Sequence, residues 1–184
     1  MRLIQRHSCE YSRGLLLCFS IPPQAQQSVA KSPWGSLKFF VGHWRGTSQG
    51  EPGQGKGQRD YEFVLRGKSF QLKNKTIYPP QEKNLKSEVH EDLGFYSFDN
   101  KRKKLVFRQF HKEGFVNEYV EQEGSAAGKT LILVSERIEN IPAGWRARET
   151  YKLVNQDEYA EVFELAEPQK EFAIYSESHG RRVK

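Results

Sequence analysis

Cysteine is almost absent from this sequence. Its 184 residues contain two cysteines, Cys9 and Cys18, and both lie within the first 20 residues. A disulfide framework, a cysteine-ligated metal and a cysteine nucleophile are therefore excluded from residue 31 onward. Long apolar runs are also lacking, and no stretch approaches the length of a membrane-spanning helix. We therefore expect no membrane span.

An excess of one charge is lacking as well. The chain has 29 Lys and Arg against 23 Asp and Glu, a net charge of +6, and the two signs are interspersed. The one dense basic run, Lys101–Lys104, follows Asp99 and Asn100 in a segment typical of a turn, and such runs are usually solvated hairpin tips. The sequence therefore predicts no nucleic-acid partner.

The first 32 residues differ in composition from the rest. Arg2, Arg6 and Arg13 precede the short apolar run GLLLCFSI, in the manner of a weak secretory signal. A disordered tail or an over-extended start codon explains the same pattern. We predict a leader at residues 1–32 and one domain at 33–184, because this length supports a single core. The protein would be periplasmic or secreted if the leader is a signal peptide, and cytoplasmic otherwise.

From Arg59 almost to the end, apolar and polar residues alternate with the period of β-strands. Short turn signals separate the strands, which predicts an antiparallel meander of about eight to ten strands with almost no helix. Such a meander tends to close into a barrel, because closure removes its edges. We therefore predict an all-β barrel; two packed sheets are the alternative that the same alternation allows. Ahead of it, PWGSLKFFVGHW predicts a short N-terminal helical plug, and the glycine-rich TSQGEPGQGKGQ predicts a flexible connection.

The turn positions also predict how neighbouring strands pair. Apolar pairs on one face and opposite charges on the other agree with a single register for each hairpin. The predicted pairs are Leu65 with Phe70, Phe63 with Leu72 and Tyr61 with Asn74; Asp92 with His111 and Tyr96 with Phe107; Gln109 with Asn117 and Phe107 with Tyr119; Tyr151 with Glu161 and Arg148 with Glu164; and Phe172 with Leu165 and Ile174 with Phe163.

The aromatic face of these strands carries many polar residues. Unpaired polar groups in a low-dielectric interior cost roughly a few kcal/mol each, so this face predicts a cavity that holds water or a small molecule. The alternative is that the groups satisfy one another, as Asp92 with His111, Tyr151 with Glu161 and Gln109 with Asn117 would. The predicted ligand-binding residues are Trp44, His90, Asp92, Gln109, His111, Asn117, Tyr119, Glu149, Tyr151 and Glu161.

Two chemical alternatives involve His90, Asp92 and His111. They form a two-histidine, one-carboxylate pattern suited to a metal, or a set of acid and base groups for an enzyme. Any His-x-Asp strand beside a histidine gives the first pattern, and no nucleophile motif accompanies the second. We therefore assign neither metal ligands nor catalytic residues, and an enzyme is the alternative to a binding protein.

A third alternative is an assembly module. The other face of the middle strands carries an apolar stripe that a barrel would expose, which is typical of a surface covered by a helix or by a second subunit in a homodimer. Its members are Leu93, Phe95, Val106, Phe110, Val116 and Val120.

The segment Gly42–Gly46 (GHWRG), ahead of the meander, resembles the Gly-x-Trp signature of lipocalin-like barrels. Together with HEDLG at residues 90–94 and the strand order, it makes residues of about 34 to 184 similar to the nitrobindin-like haem-binding β-barrel families, in particular to a bacterial branch. The resemblance implies a calycin-type barrel with an internal pocket. It also implies that Trp44 closes one end under a late arginine, Arg181 or Arg182.

The resemblance makes haem a candidate cofactor, because a histidine of the last strands holds haem in nitrobindins. Here Ile174 and Tyr175 stand at the place of that histidine, and His179 falls on the outer face by alternation. Haem would need a different geometry, through a tyrosine, His90 or His111. The sequence thus predicts a small-molecule-binding barrel whose ligand and cofactor are unknown.

Overall fold

The computed structural model describes residues 33–35, 37–82, 84–122 and 129–184. The predicted leader at residues 1–32 lies outside the described residues, so its nature stays a prediction. Among the described residues, no helix has both the length and the apolar character needed to cross a membrane.

Ten antiparallel strands make up most of the described chain. Each strand pairs with its neighbours in sequence, and the last pairs with the first, which closes the sheet into a barrel as predicted. The strands are β1 (Gly42–Gly50), β2 (Gly53–Val64), β3 (Ser69–Tyr78), β4 (Glu88–Asp99), β5 (Lys104–His111), β6 (Val116–Glu121), β7 (Thr130–Glu139), β8 (Arg146–Asn155), β9 (Glu158–Ala166) and β10 (Ala173–Arg182).

The glycine-rich segment 47–58 is not the flexible connection that its composition predicted. It forms most of the β1–β2 hairpin, in which Gly50 pairs with Gly53 across a two-residue turn. A Cβ at Gly55 would come within 2.7 Å of the ring of Tyr78. Glycine in these strands therefore permits close approach of neighbouring groups. Composition alone does not distinguish such a strand from a glycine-rich loop.

Three of the predicted registers are confirmed. β4 pairs with β5 with Asp92 opposite His111, and the pairing of β5 with β6 and of β8 with β9 also matches the prediction. The outer ion pair predicted for β8 and β9 forms between Arg148 and Glu164. In these hairpins short turns and cross-strand charge pairs agree, and together they determine the register.

The predicted register of β2 and β3 is wrong by two residues. Tyr61 lies opposite Leu72 instead of Asn74, because the connection is a four-residue turn at 65–68 rather than a two-residue turn. Leu65 takes a left-handed backbone angle (φ 52°) and its side chain is exposed. A shift of two residues leaves every side chain on its predicted face, so the predicted interior is unaffected.

The predicted register of β9 and β10 is also wrong. Ala173, not Phe172, lies opposite Leu165, which shifts the pairing by one residue. A bulge between Ile174 and Ser176 shifts it by one more, so that Ser176 lies opposite Phe163. The bulge adds Tyr175 to one strand without a partner on the other, and alternation along a sequence does not reveal such an insertion.

The predicted plug is a short 3-10 turn, Leu37–Phe40, which we call the plug from here on. Phe40 is buried, and its ring centroid lies 5.3 Å from Tyr61, 5.5 Å from Tyr151 and 5.3 Å from Tyr159. These rings come from β2, β8 and β9, so the plug ties three strands together at one end of the barrel. We call it the closed end.

Trp44 and Arg182 complete the closed end. The Trp44 indole nitrogen donates a hydrogen bond to the Phe40 carbonyl oxygen at 2.6 Å, and the Arg182 guanidinium lies 4.3 Å from the centre of the Trp44 ring system. Arg182 also donates to the carbonyl oxygens of Phe39, in the plug, and Val41, just after it, at 2.6 Å each. Of the two arginines that the sequence offered, Arg182 therefore covers the tryptophan, while Arg181 pairs with Glu158.

The apolar stripe predicted on the outer face is exposed only in part. Leu93 and Phe110 lie opposite each other and are 37% and 46% exposed. Val106 and Val120 are buried, and the other two members are half-buried. The exposed patch is thus one cross-strand pair, and a homodimer through this face stays a prediction that sizing chromatography would test.

Candidate functional site

The barrel opens on a cavity of about 470 Å³ at the end away from the plug, which we call the open-end cavity. Apolar side chains form most of its walls, and polar side chains gather on one side. The apolar members are Pro52, Tyr78, Phe115, Ile138, Ile141, Pro142, Trp145, Phe163, Leu165 and Tyr175. The polar members are Glu88, His90, His111, Glu113, Asn117 and Ser176.

A narrower space of about 80 Å³ lies deeper in the barrel and shares His90, His111 and Ser176 with the open-end cavity. Its walls are mainly polar, with Arg59, Asn74, Asp92, Gln109, Glu149 and Glu161 among them. We call these side chains, with His90 and His111, the polar floor. Apolar walls above a polar floor are the usual composition of a small-molecule site.

Most of the predicted ligand-binding residues lie around these two spaces. His90, His111 and Asn117 line the open-end cavity, and His90, Asp92, Gln109, His111, Glu149 and Glu161 line the deeper space. Tyr119 and Tyr151 are buried beside the polar floor without lining either space. Trp44 lies apart from the others, because it belongs to the closed end.

Asp92 is the centre of a hydrogen-bond network on the polar floor. Its carboxylate accepts hydrogen bonds from the Asn74 amide at 2.6 Å and the Gln109 amide at 2.9 Å. Burial acts to raise the pKa of Asp92, but hydrogen bonds from His90, Gln109 and Asn74 outweigh burial and hold the pKa below its ordinary value. The floor therefore contains a buried, ionised carboxylate.

His90 lies between two carboxylates. Its Nε2 is 3.4 Å from an Asp92 oxygen and its Nδ1 is 3.2 Å from a Glu113 oxygen. Burial acts to lower the pKa of His90, but the two carboxylates raise it above its ordinary value. The imidazolium form is thus favoured on this side of the floor.

His111 has the opposite environment, although its ring centre is 5.5 Å from that of His90. The ring stacks on Phe115 with centres 4.1 Å apart, and Nε2 lies 3.2 Å from the Asn117 amide nitrogen. Its Nδ1 is buried and has no hydrogen-bond partner among the residues that the structure describes. Burial lowers the pKa of His111 to about 4, so the ring is neutral near pH 7.

Arg59 links the two sides of the polar floor. Its guanidinium lies 2.6 Å from a Glu161 oxygen and donates to the Asn74 side-chain oxygen at 3.1 Å. Because Asn74 in turn donates to Asp92, polar contacts run continuously from β9 to β4. The sequence analysis missed Arg59, although alternation from Tyr61 would have placed it inside.

Glu149 is protonated near neutral pH. Burial, together with the negative charge of Glu161, raises the pKa of Glu149 to about 8. The Tyr151 hydroxyl donates to Glu149 at 2.8 Å, rather than to Glu161 as the sequence analysis considered. The two residues are neighbours on the same face of β8, a contact along the strand rather than across it.

The segment between β7 and β8 supplies part of the cavity wall that the sequence analysis did not identify. Ile141, Pro142 and Trp145 lie there, and all three line the open-end cavity. Apolar residues in this connecting segment were the available signal, since a connection exposed to water on all sides would have little reason to carry them.

The last strand does not offer the haem ligand that the resemblance implies. Ile174 is 59% exposed, and His179 lies 4.0 Å from Glu158 on the outer face, where alternation placed it. Tyr175 lines the open-end cavity, but burial raises its pKa and so opposes the phenolate that binds iron. These donors do not fit a haem held from the last strand.

Comparison with known proteins shows the fold. No family model and no curated protein matches the sequence. The crystal structure of Rv2717c from M. tuberculosis is similar to the barrel, with a TM-score of 0.63 and 13% identity over 84% of this chain and 99% of that chain. A protein of unknown function from the DUF3598 family of Nostoc punctiforme gives a TM-score of 0.30 and 9% identity over 83% of this chain and 100% of that chain, too low to support an argument. The chain therefore forms a ten-stranded antiparallel barrel, and the comparisons show this fold alone.

Proposed function

We propose that the protein binds a small, partly apolar molecule in the open-end cavity. The observation that carries the proposal is an apolar-walled space of about 470 Å³ above buried polar groups. Protein interiors are normally packed to the density of organic crystals, so a space of this size gives up packing energy. A binding site explains why aromatic and aliphatic side chains surround it without filling it.

The charges around the cavity favour a ligand with a basic or hydrogen-bond-donating group. The chain as a whole carries +6, yet the acidic side chains lining the open-end cavity, Glu88 and Glu113, have no lysine or arginine beside them among its described lining residues. On the floor, Asp92 and Glu161 are balanced by Arg59 and the imidazolium of His90, so the excess of negative charge comes from Glu88 and Glu113. An acidic, partly enclosed site attracts cations and repels carboxylates.

A relation to the nitrobindin-like families is part of the proposal. It is supported by the Gly-x-Trp segment at the start of β1 and by Arg182 over Trp44. The relation does not extend to haem bound from the last strand, because that strand directs no histidine inward among its described residues.

Trp145 offers a direct test, since it lines the open-end cavity while Trp44 belongs to the closed end. The full chain is titrated with dodecylamine, dodecanol and dodecanoate, and tryptophan emission is followed. We expect saturable binding, tightest for the amine and weakest for the carboxylate. Trp145→Phe should remove the emission change while calorimetry still detects the amine.

Two outcomes would count against the proposal. Absence of saturable binding for all three probes, together with no co-purified small molecule in native mass spectrometry, would overturn it. A shifted Soret band with one equivalent of ferric haem would instead mean that haem binds in a geometry other than that of the last-strand histidine, and His90, His111 and Tyr175 would then be substituted in turn.

A further inference from the structure

We propose that His90, Asp92 and His111 bind one divalent transition-metal ion at the polar floor. The sequence alone gave no reason to assign metal ligands, because any His-x-Asp strand beside a histidine shows the same pattern. The contacts made by the three side chains now supply such a reason. The inference goes beyond the proposed function and does not depend on it.

The three residues lie close enough to share one ion. His90 and Asp92 project from the same face of β4, and His111 lies opposite Asp92 on β5. One donor atom from each lies within 4.8 Å of the other two. Zinc bonds of about 2.0–2.1 Å place tetrahedral donors about 3.3 Å apart, so side-chain rotations that bring the donor atoms closer by up to about 1.5 Å would close the site.

The surrounding groups orient the candidate ligands through hydrogen bonds and charge contacts. Glu113 lies 3.2 Å from Nδ1 of His90 and so leaves Nε2 as the nitrogen directed at Asp92, 3.4 Å away. Asn74 and Gln109 orient the Asp92 carboxylate by hydrogen bonds of 2.6 and 2.9 Å. In metal sites a ligating histidine usually bonds a carboxylate through its other ring nitrogen, and a ligating carboxylate usually accepts hydrogen bonds from neighbouring donors.

A buried nitrogen without a partner among the described residues is available to a bound ion. It is Nδ1 of His111, and Oδ1 of Asn117 is likewise unpaired. Rotating the Asn117 amide exchanges its oxygen and nitrogen, and the oxygen would then accept hydrogen bonds from Nε2 of His111 and from the Tyr119 hydroxyl, both of which now contact the amide nitrogen. That tautomer leaves a lone pair on Nδ1 of His111, which a bound ion would take up.

The site would keep open positions toward the cavity. His90 and His111 line both the open-end cavity and the deeper space. Three protein ligands leave at least one coordination position of a zinc ion for water or another ligand. Two imidazoles and one carboxylate suit zinc and ferrous iron better than calcium or magnesium, which prefer oxygen donors.

The test is a calorimetric titration of chelator-treated full chain with zinc chloride alone. Cys9, Cys18 and His7 offer competing donors outside the described residues, so the background protein carries Cys9→Ser, Cys18→Ser and His7→Gln. We expect one equivalent of zinc to bind, and cobalt to bind with the visible absorption of a low-coordinate site. Zinc is the only added ligand, so this result does not depend on whether the cavity binds an organic molecule.

Variants identify the ligands. His90→Gln and His111→Gln should each weaken zinc binding at least tenfold, since loss of a second-shell partner alone costs about 10–100-fold. His43→Gln and His179→Gln are matched controls, because both histidines lie beside carboxylates outside the barrel interior and should leave binding unchanged. Thermal unfolding of each variant without metal shows whether it folds.

The supporting shell has its own test. Asn117→Asp should retain zinc affinity, because a carboxylate accepts the Nε2 proton of His111, whereas Asn117→Leu should weaken binding about tenfold. The proposal is overturned if the background protein binds no zinc, or if folded His90→Gln and His111→Gln proteins bind it as tightly as the background does. Loss of binding in His43→Gln would assign the ion to the outer surface and would equally overturn it.

Discussion

The closed end and the open end of the barrel are made by the same strands, but their interiors are packed differently. At the closed end Phe40 and Trp44 are packed against other rings, and the polar atoms of Trp44 and Arg182 have partners. At the open end apolar walls enclose a space above a floor of buried charged and polar groups. The comparison predicts that the closed end contributes most to stability, whereas the open end is where we propose that a ligand binds.

The largest effect that would test this comparison is the loss of Trp44. Trp44→Ala should lower the free energy of unfolding by about 3–5 kcal/mol, because the side chain is 1% exposed and its removal leaves a cavity. Urea denaturation measures the change. Trp145→Ala at the open end is the control and should cost less than about 1 kcal/mol, since Trp145 is half-buried and most residues of the segment around it are exposed. Equal losses for the two variants would remove the distinction between the ends.

A smaller effect is expected for Arg182. Arg182→Lys should cost about 2 kcal/mol, because lysine keeps the charge but loses the planar group over Trp44 and the paired hydrogen bonds to the plug. Arg181→Lys is the matched control on the same strand. Its side chain is 72% exposed and, within the described part of the chain, pairs only with Glu158, so the change should lie within about 0.5 kcal/mol of zero. The comparison again uses urea denaturation.

Glu149 sharpens the comparison through pH. Its pKa is about 8 in the folded protein against an ordinary value of 4.5, so the folded state keeps a proton that the unfolded state releases. The stability that this group contributes is complete below its unfolded pKa and is lost as the pH rises from about 5 through about 8. Glu149→Gln cannot lose that proton, and the difference between its unfolding free energy and that of the wild type should grow in favour of the variant over this range.

Other titrating groups are common to both proteins, so the difference between the two stability curves isolates Glu149. The exposed Glu171 provides the control, and Glu171→Gln should follow the wild-type curve. A constant difference between wild type and Glu149→Gln from pH 5 to 8 would contradict the raised pKa.

The fold could be predicted because alternation reports which face a side chain takes. A shift of two residues in pairing does not change that face, so Tyr61 and Leu72 are both inside although their predicted partners were wrong. What alternation does not report is backbone irregularity. The left-handed Leu65 and the bulge at Tyr175 depend on local conformations that a leucine or a tyrosine does not signal.

The site could be predicted only as a set of residues. Alternation predicted that His90, Asp92 and His111 all face the interior, and in the structure their donor atoms lie close together. The contacts within the set were not predicted, because cross-strand pairing considers only residues that lie directly opposite each other. Tyr151 bonds Glu149, its neighbour on the same strand, and Asp92 accepts a hydrogen bond from Gln109, which lies diagonally across from it.

The most direct test of the central claim is to fill the open-end cavity and measure binding. Ser176 lines both spaces from β10, while Glu177, the next residue on that strand, is exposed. We predict that Ser176→Phe abolishes calorimetric binding of dodecylamine while the unfolding free energy changes by less than about 1 kcal/mol, and that Glu177→Phe binds as the wild type does. Unchanged binding in a folded Ser176→Phe protein would contradict the claim that the open-end cavity is the binding site.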